Sequence, residues 1–102
     1  MSAQPNFQIE TSFIRSWIEM GDCNIVVNIS AGKKMRELEI DLVDINYVLR
    51  VGRVVESDMD ESRGLWKVLG KTLDGQTLEL SVAVISSECS VELLRILKVS
   101  RG

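Results

Sequence analysis

The chain has 102 residues, 45% of them apolar and 26% charged, with twelve Lys and Arg against fifteen Asp and Glu for a formal charge of -3. That length closes one modest core and not two, and the composition excludes collagen, coiled-coil rods and wholly disordered chains. No stretch approaches the ~18 uninterrupted apolar residues of a membrane span, and a pI near 4.9 argues against nucleic-acid binding through a basic face.

Two further features of the composition narrow the chemistry. There is no histidine, and there are two cysteines, Cys23 and Cys89, far apart in sequence. Without histidine the Ser-His and Cys-His nucleophile pairs, His-ligated metals and the usual neutral-pH general base are unavailable. A disulfide scaffold of this size carries more cysteines at regular spacing. Residues 1–10 show no basic segment followed by an apolar run, so no signal peptide is expected. A reducing cytoplasm with two free thiols is the default expectation.

In chain order, residues 1–10 are expected to form a flexible N-terminus around Pro5, the only proline, and residues 11–102 a single domain. From Thr11 the pattern turns helical, with Phe13, Ile14, Trp17 and Ile18 on one stripe. Thr11 or Ser12 suits the N-cap and Gly21 a left-handed stop. Residues 23–29 are rich in β-branched side chains and read as a strand or extended link. Ser30 is then expected to cap a short helix over residues 31–39, with Met35 and Leu38 facing inward. Asp41 opens a third helix, reinforced by Asp44 and lined by Leu42, Ile45, Val48 and Leu49, with Gly52 as its stop.

After Gly52 the period becomes two. Residues 53–57 read as a short strand, 58–64 as a polar acidic connection, and 65–73, 77–85 and 91–99 as three longer strands. Asp74-Gly75 marks the hairpin between the first two long strands. A two-residue turn there would put Lys67 and Lys71 on the core face, where unpartnered charge is costly. A three-residue loop, Leu73-Asp74-Gly75 with Gly75 left-handed, slips the pairing by one residue. Leu78, Leu80 and Val82 then face Gly70, Val68 and Trp66, and the lysines turn outward beside Ser81 and Thr77. In the last strand Val91, Leu93, Leu97 and Val99 share one face, and Leu94 and Ile96 the other. With Leu69 and Ile85 also outward, the back of the sheet reads either as a partly covered surface or as a homodimer interface.

The stretch from Ser30 onward resembles the bacterial and phage family known as domain of unknown function 4258. The residues that carry the likeness are Ala31-Gly32, Lys34-Met35, Ile40-Asp41, Asp44-Ile45, the run Val48-Leu49-Arg50-Val51-Gly52-Arg53-Val54-Val55-Glu56, then Trp66-Lys67-Val68-Leu69-Gly70, Asp74-Gly75 and residues 78–85. The order of helices before an antiparallel sheet is also similar to the MqsR-type and RelE-type messenger-RNA interferase toxins, in which Lys, Arg, Tyr or Gln side chains on the sheet hold phosphate. That resemblance implies an α+β fold, with N-terminal helices packed on one face of a twisted, mainly antiparallel sheet of four to five strands. It implies activity only through matching site residues. The histidine at the family's opening is replaced near Ala31, and no position carries a toxin's catalytic residue one for one.

If the chain is a nuclease, Lys67, Lys71, Arg95 and Lys98 are the cations available to a phosphate, and Tyr47 is the only phenol. Otherwise these cations are solubilising charge, with Lys67 and Lys71 guarding a strand. Asp58, Asp60 and Glu61 crowd one connection but lack the alternating ligands of a calcium loop, so a solvated turn is expected, with Met59 an incidental surface residue or a small lid contact. Cys23 and Cys89 have no histidine or CxxC partner. Trp17 and Trp66 read as core anchors rather than base-stacking platforms. The glycines are dispersed and form no phosphate cradle.

The function expected is a small cytoplasmic binding or interaction module with a toxin-like fold, no catalytic constellation, no metal and no cofactor. Its partners would be a second copy through the outer sheet face or another protein, with neither nucleic acid nor membrane. The alternatives are an mRNA endoribonuclease toxin of a toxin–antitoxin system and an acidic antitoxin or immunity-type inhibitor whose charge complements a basic partner.

Overall fold

The computed structural model describes residues 7–21, 24–60 and 63–99. The elements run α1 (Gln8–Met20), β1 (Asn24–Val27), α2 (Ile29–Leu38), α3 (Leu42–Val51), β2 (Arg53–Asp60), β3 (Arg63–Lys71), β4 (Thr77–Ile85), a short 3-10 turn (Ser86–Glu88) and β5 (Ser90–Lys98). This is the expected α+β class, three helices with a five-stranded sheet in the order β1-β5-β4-β3-β2. Strands β2 to β5 form an antiparallel meander, and β1 adds in parallel beside β5. Among the described residues no helix is long and apolar enough to cross a membrane.

Local chemistry explains most boundaries. α3 starts in a full capping box, in which the Asp41 carboxylate accepts from the Asp44 amide and the Asp44 carboxylate accepts from that of Asp41. α1 ends at Gly21 with φ +72°, the left-handed turn that glycine adopts at low cost. Other starts differ from the expectation. α2 is capped by Asn28, whose side chain accepts from the Ala31 amide, and not by Ser30. α1 begins at Gln8 after Phe7, with no side-chain cap. Thr11 instead accepts from the Val54 amide of β2 at 2.9 Å, so its hydroxyl ties helix to sheet.

Gly52 does end α3, as expected, and the structure supplies the reason. Its backbone is extended, with φ -76°. A Cβ there would sit 2.6 Å from the Val48 carbonyl oxygen and 2.7 Å from that of Leu69. The glycine is required by close approach of helix and sheet and not by a left-handed turn. The expected polar connection over residues 58–64 is mostly strand, since β2 continues to Asp60 and β3 starts at Arg63. Glu61 and Cys23 lie outside the described residues.

The β3–β4 register is the one the lysines require. Trp66 pairs with Val82, Val68 with Leu80, Gly70 with Leu78, Lys67 with Ser81 and Lys71 with Thr77. The loop is Leu73-Asp74-Gly75, closed by the Thr72 amide donating to the Gln76 carbonyl at 2.8 Å, with Gly75 at φ +91°.

β5 departs from simple alternation. Val82 pairs with Leu93 but Ser81 with Arg95, so Leu94 is an extra residue in the ladder, a β-bulge that changes phase. Beyond it Ile96 turns inward, opposite Leu80 and only 2% exposed, while Leu97 turns outward at 41%. The expected faces of Ile96 and Leu97 are thus reversed.

One core cluster joins Ile14, Ala31, Ile40, Ile45, Val48 and Leu49 from the helical half to Val54, Val68, Leu78, Leu80, Val82, Val84, Val91, Leu93 and Ile96 of the sheet. The strand residues in it share one face, so the helices cover one side of the sheet. Trp17, Ile18, Met35, Leu38 and Trp66 flank the cluster, only partly buried. Phe13, expected in the core, is 37% exposed.

Candidate functional site

The cations singled out by sequence do not converge. Register places Lys67, Lys71 and Arg95 on the open side of the sheet, with Lys67 and Arg95 flanking Ser81 from opposite strands. Lys98 pairs with the fully buried Leu78 and so belongs to the helix-facing phase, away from the other three. Lys67 Nζ lies 3.4 Å from Glu56 Oε2 and 3.9 Å from Glu79 Oε1. A phosphate approaching it would meet two carboxylates first.

Tyr47 points into a cleft of about 440 Å³ between α1, α3 and the β3–β4 loop, lined also by Ile18, Val43 and Leu73. There the Arg50 guanidinium lies 5.7 Å from the Tyr47 ring centroid, within cation–π reach of the one phenol. Arg15 Nε donates to the Arg50 carbonyl at 2.8 Å, which ties α1 to the end of α3.

At the β3–β4 loop Asp74 accepts from the Thr72 hydroxyl and, at 3.3 Å, from the Gln76 side-chain amide. The Thr72 hydrogen bond, then that of Gln76, holds the Asp74 carboxyl below its ordinary value.

The second cavity is more distinctive. A groove of about 250 Å³ runs between the first turns of α1 and the β2–β3 hairpin, lined by Ile9, Glu10, Phe13, Met59, Gly64, Trp66, Val84 and Ser86. Its floor is aromatic. Phe13 meets the Trp66 indole edge-on, with centroids 5.9 Å apart, and stacks at a tilt on Trp17 at 4.7 Å. The indole lies against the backbone of Gly64, two residues back on the same strand face. A Cβ at Gly64 would come 2.9 Å from Trp66 Nε1, so no larger residue leaves this floor intact.

The walls of the groove are wet apolar residues, Ile9 at 83% and Met59 at 67% exposed. Among the described residues no buried side-chain nitrogen or oxygen lacks a partner, and Trp66 itself is only partly buried. Trp66 holds the anchoring place expected of it, against Phe13 of α1, whereas Gly64 and Ile9, expected as turn punctuation and part of a loose terminus, line the groove beside it. The recoverable signal was Ile9 and Phe13 one helical turn apart, together with a glycine and a tryptophan on one strand face.

The fold and this groove define a three-helix, five-stranded α+β domain with an exposed aromatic recess. No family model, curated protein or solved structure matches the chain.

Proposed function

We propose that the protein is a non-catalytic interaction module that acts in the cytoplasm, with the aromatic groove as its contact surface. The observation that carries this reading is the groove itself. Ile9 and Met59 stand far out in water beside Phe13 and Trp66, and contiguous apolar surface of that kind is a mark of association. Aromatic side chains set in a recess supply most of the energy in protein interfaces.

The outer sheet face gives homodimerisation less support. Leu97 and Val26 are exposed there, but Glu56, Lys67 and Glu79 stand among the apolar positions and would lose water on pairing. An endoribonuclease gains least, because its cations are split between two faces and Lys67 is held by carboxylates.

The test is a photo-reactive amino acid placed at position 9, with position 33, exposed on α2, as control. A discrete protein adduct from position 9 alone, lost when Phe13→Ser is added, is the expected result. Equal labelling from both positions, or none, removes the groove reading. RNA cleavage abolished by Lys67→Ala would restore the nuclease.

A further inference from the structure

We infer that the groove takes a short segment of a partner protein that carries one large apolar side chain flanked by lysine or arginine. This rests on the interaction reading above and adds the chemistry of the partner.

Size comes first. About 250 Å³ falls below the ~300–1,000 Å³ of typical small-molecule sites. It suits a single anchoring side chain stacked on Trp66 and Phe13, with the rest of the ligand outside.

Charge comes second. Among the described residues that line it, only Glu10 is ionised and none is cationic. Glu88 stands exposed two residues beyond Ser86, which lines the groove. Arg63, the nearest cation along β3, alternates to the other strand face and is already engaged. A basic flank therefore gains at this rim and an acidic flank loses. The chain's formal charge of -3 acts in the same direction during approach.

The mode of docking follows from the neighbouring edge. β2 is an outer strand of the sheet, and an open edge can accept an added strand. Here the Val54 amide already donates to Thr11 Oγ1, and the Met59 amide to Asp58 Oδ1 at 2.8 Å. With these donors taken and Glu56 and Asp58 along the edge, strand addition is opposed. Insertion of a side chain into the groove uses none of them.

The experiment measures binding of short fluorescein-labelled peptides to the full chain at low salt by anisotropy. One peptide has a Leu-Trp-Leu centre with lysine flanks, a second the same centre with glutamate flanks, and a third lysine flanks on a serine centre. The first is expected to bind about tenfold or more tighter than the second, and the third not measurably. Ile9→Ser, at a site exposed enough to leave the fold unchanged, is expected to weaken the first peptide about tenfold. Glu10→Lys is expected to reverse the preference between the flanks.

Equal affinity for both flanks, still sensitive to Ile9→Ser, overturns the basic-partner inference and leaves the interaction reading standing. No binding by either apolar peptide, or binding indifferent to Ile9→Ser, overturns both.

Discussion

The two faces of the sheet differ by a single residue of phase. On the helix side Val68, Leu78, Leu80, Val82, Val91 and Leu93 are out of water. On the other side Lys67 bridges Glu56 and Glu79, and Arg95 and Leu97 stand exposed. The strands supply both surfaces at once because successive side chains alternate. The lesson is that register, more than composition, decides which surface is core. It is enforced by lysines that cannot be buried and adjusted by an extra residue in each of two strands, Val55 in β2 and Leu94 in β5.

The strongest challenge to this contrast is to move the phase itself. Deleting Ser81 from β4, which is paired on both sides, would turn Val82 and Val84 outward. No cooperative unfolding transition is expected by circular dichroism. Deleting Leu94 removes the unpaired residue, leaving Leu93 opposite Val82 and Arg95 opposite Ser81 in an unbroken ladder. That variant is expected to fold, at a cost of about 0.5–3 kcal/mol. Failure of the second, or survival of the first, would mean the bulge does not set the faces.

Next in size is a matched pair of truncations followed by urea denaturation. Leu80→Ala, fully buried, is expected to cost about 2–5 kcal/mol. Leu97→Ala, 41% exposed on the other face, is expected to stay within about 0.5 kcal/mol. Similar losses at both sites would show that the outer face is covered in solution, and sedimentation would then report a dimer.

A smaller effect is expected from Lys67→Met. The lysine side chain is 40% exposed, so solvent screens both of its ion pairs. The loss is expected to stay below about 1 kcal/mol and to shrink in high salt.

The smallest effect concerns the β3–β4 loop. Because the folded-state pKa of Asp74 lies below 3.8, its stabilisation is present above about pH 3.8 and is lost as the pH falls through the folded-state value. Asp74→Asn is therefore expected to lower the melting temperature slightly at neutral pH and to converge on the parent in stronger acid. A constant difference across that range would contradict it.

Much of the fold is legible in the sequence where local and burial signals agree. The Asp41 cap of α3, the Gly21 stop and the slip of the Asp74-Gly75 hairpin are such places. What is not legible depends on the third dimension. Nothing local distinguishes Asn28 from Ser30 as a cap, since both are good caps. The bulge at Leu94 leaves no mark in a run where either phase offers apolar residues, and so Ile96 and Leu97 are read the wrong way round. The groove was unreadable because Trp66 and Phe13 look like core residues. Their partial exposure arises where the first turns of α1 meet β2 and β3.

The parallel pairing of β1 with β5 sets a timetable for synthesis. Asn24 aligns with Ser90 and Val27 with Leu93, so the second strand of this pair is translated long after the first. At about 5–20 residues per second, residues 24–27 wait for seconds with no edge to join. During that interval α2, which packs against β5, also has no sheet beneath it. Residues 24–38 therefore lack their sheet until β5 leaves the ribosome, whereas α1 already has α3 and β2 to pack against. Chaperone contact with that segment is where a failure to mature would first show.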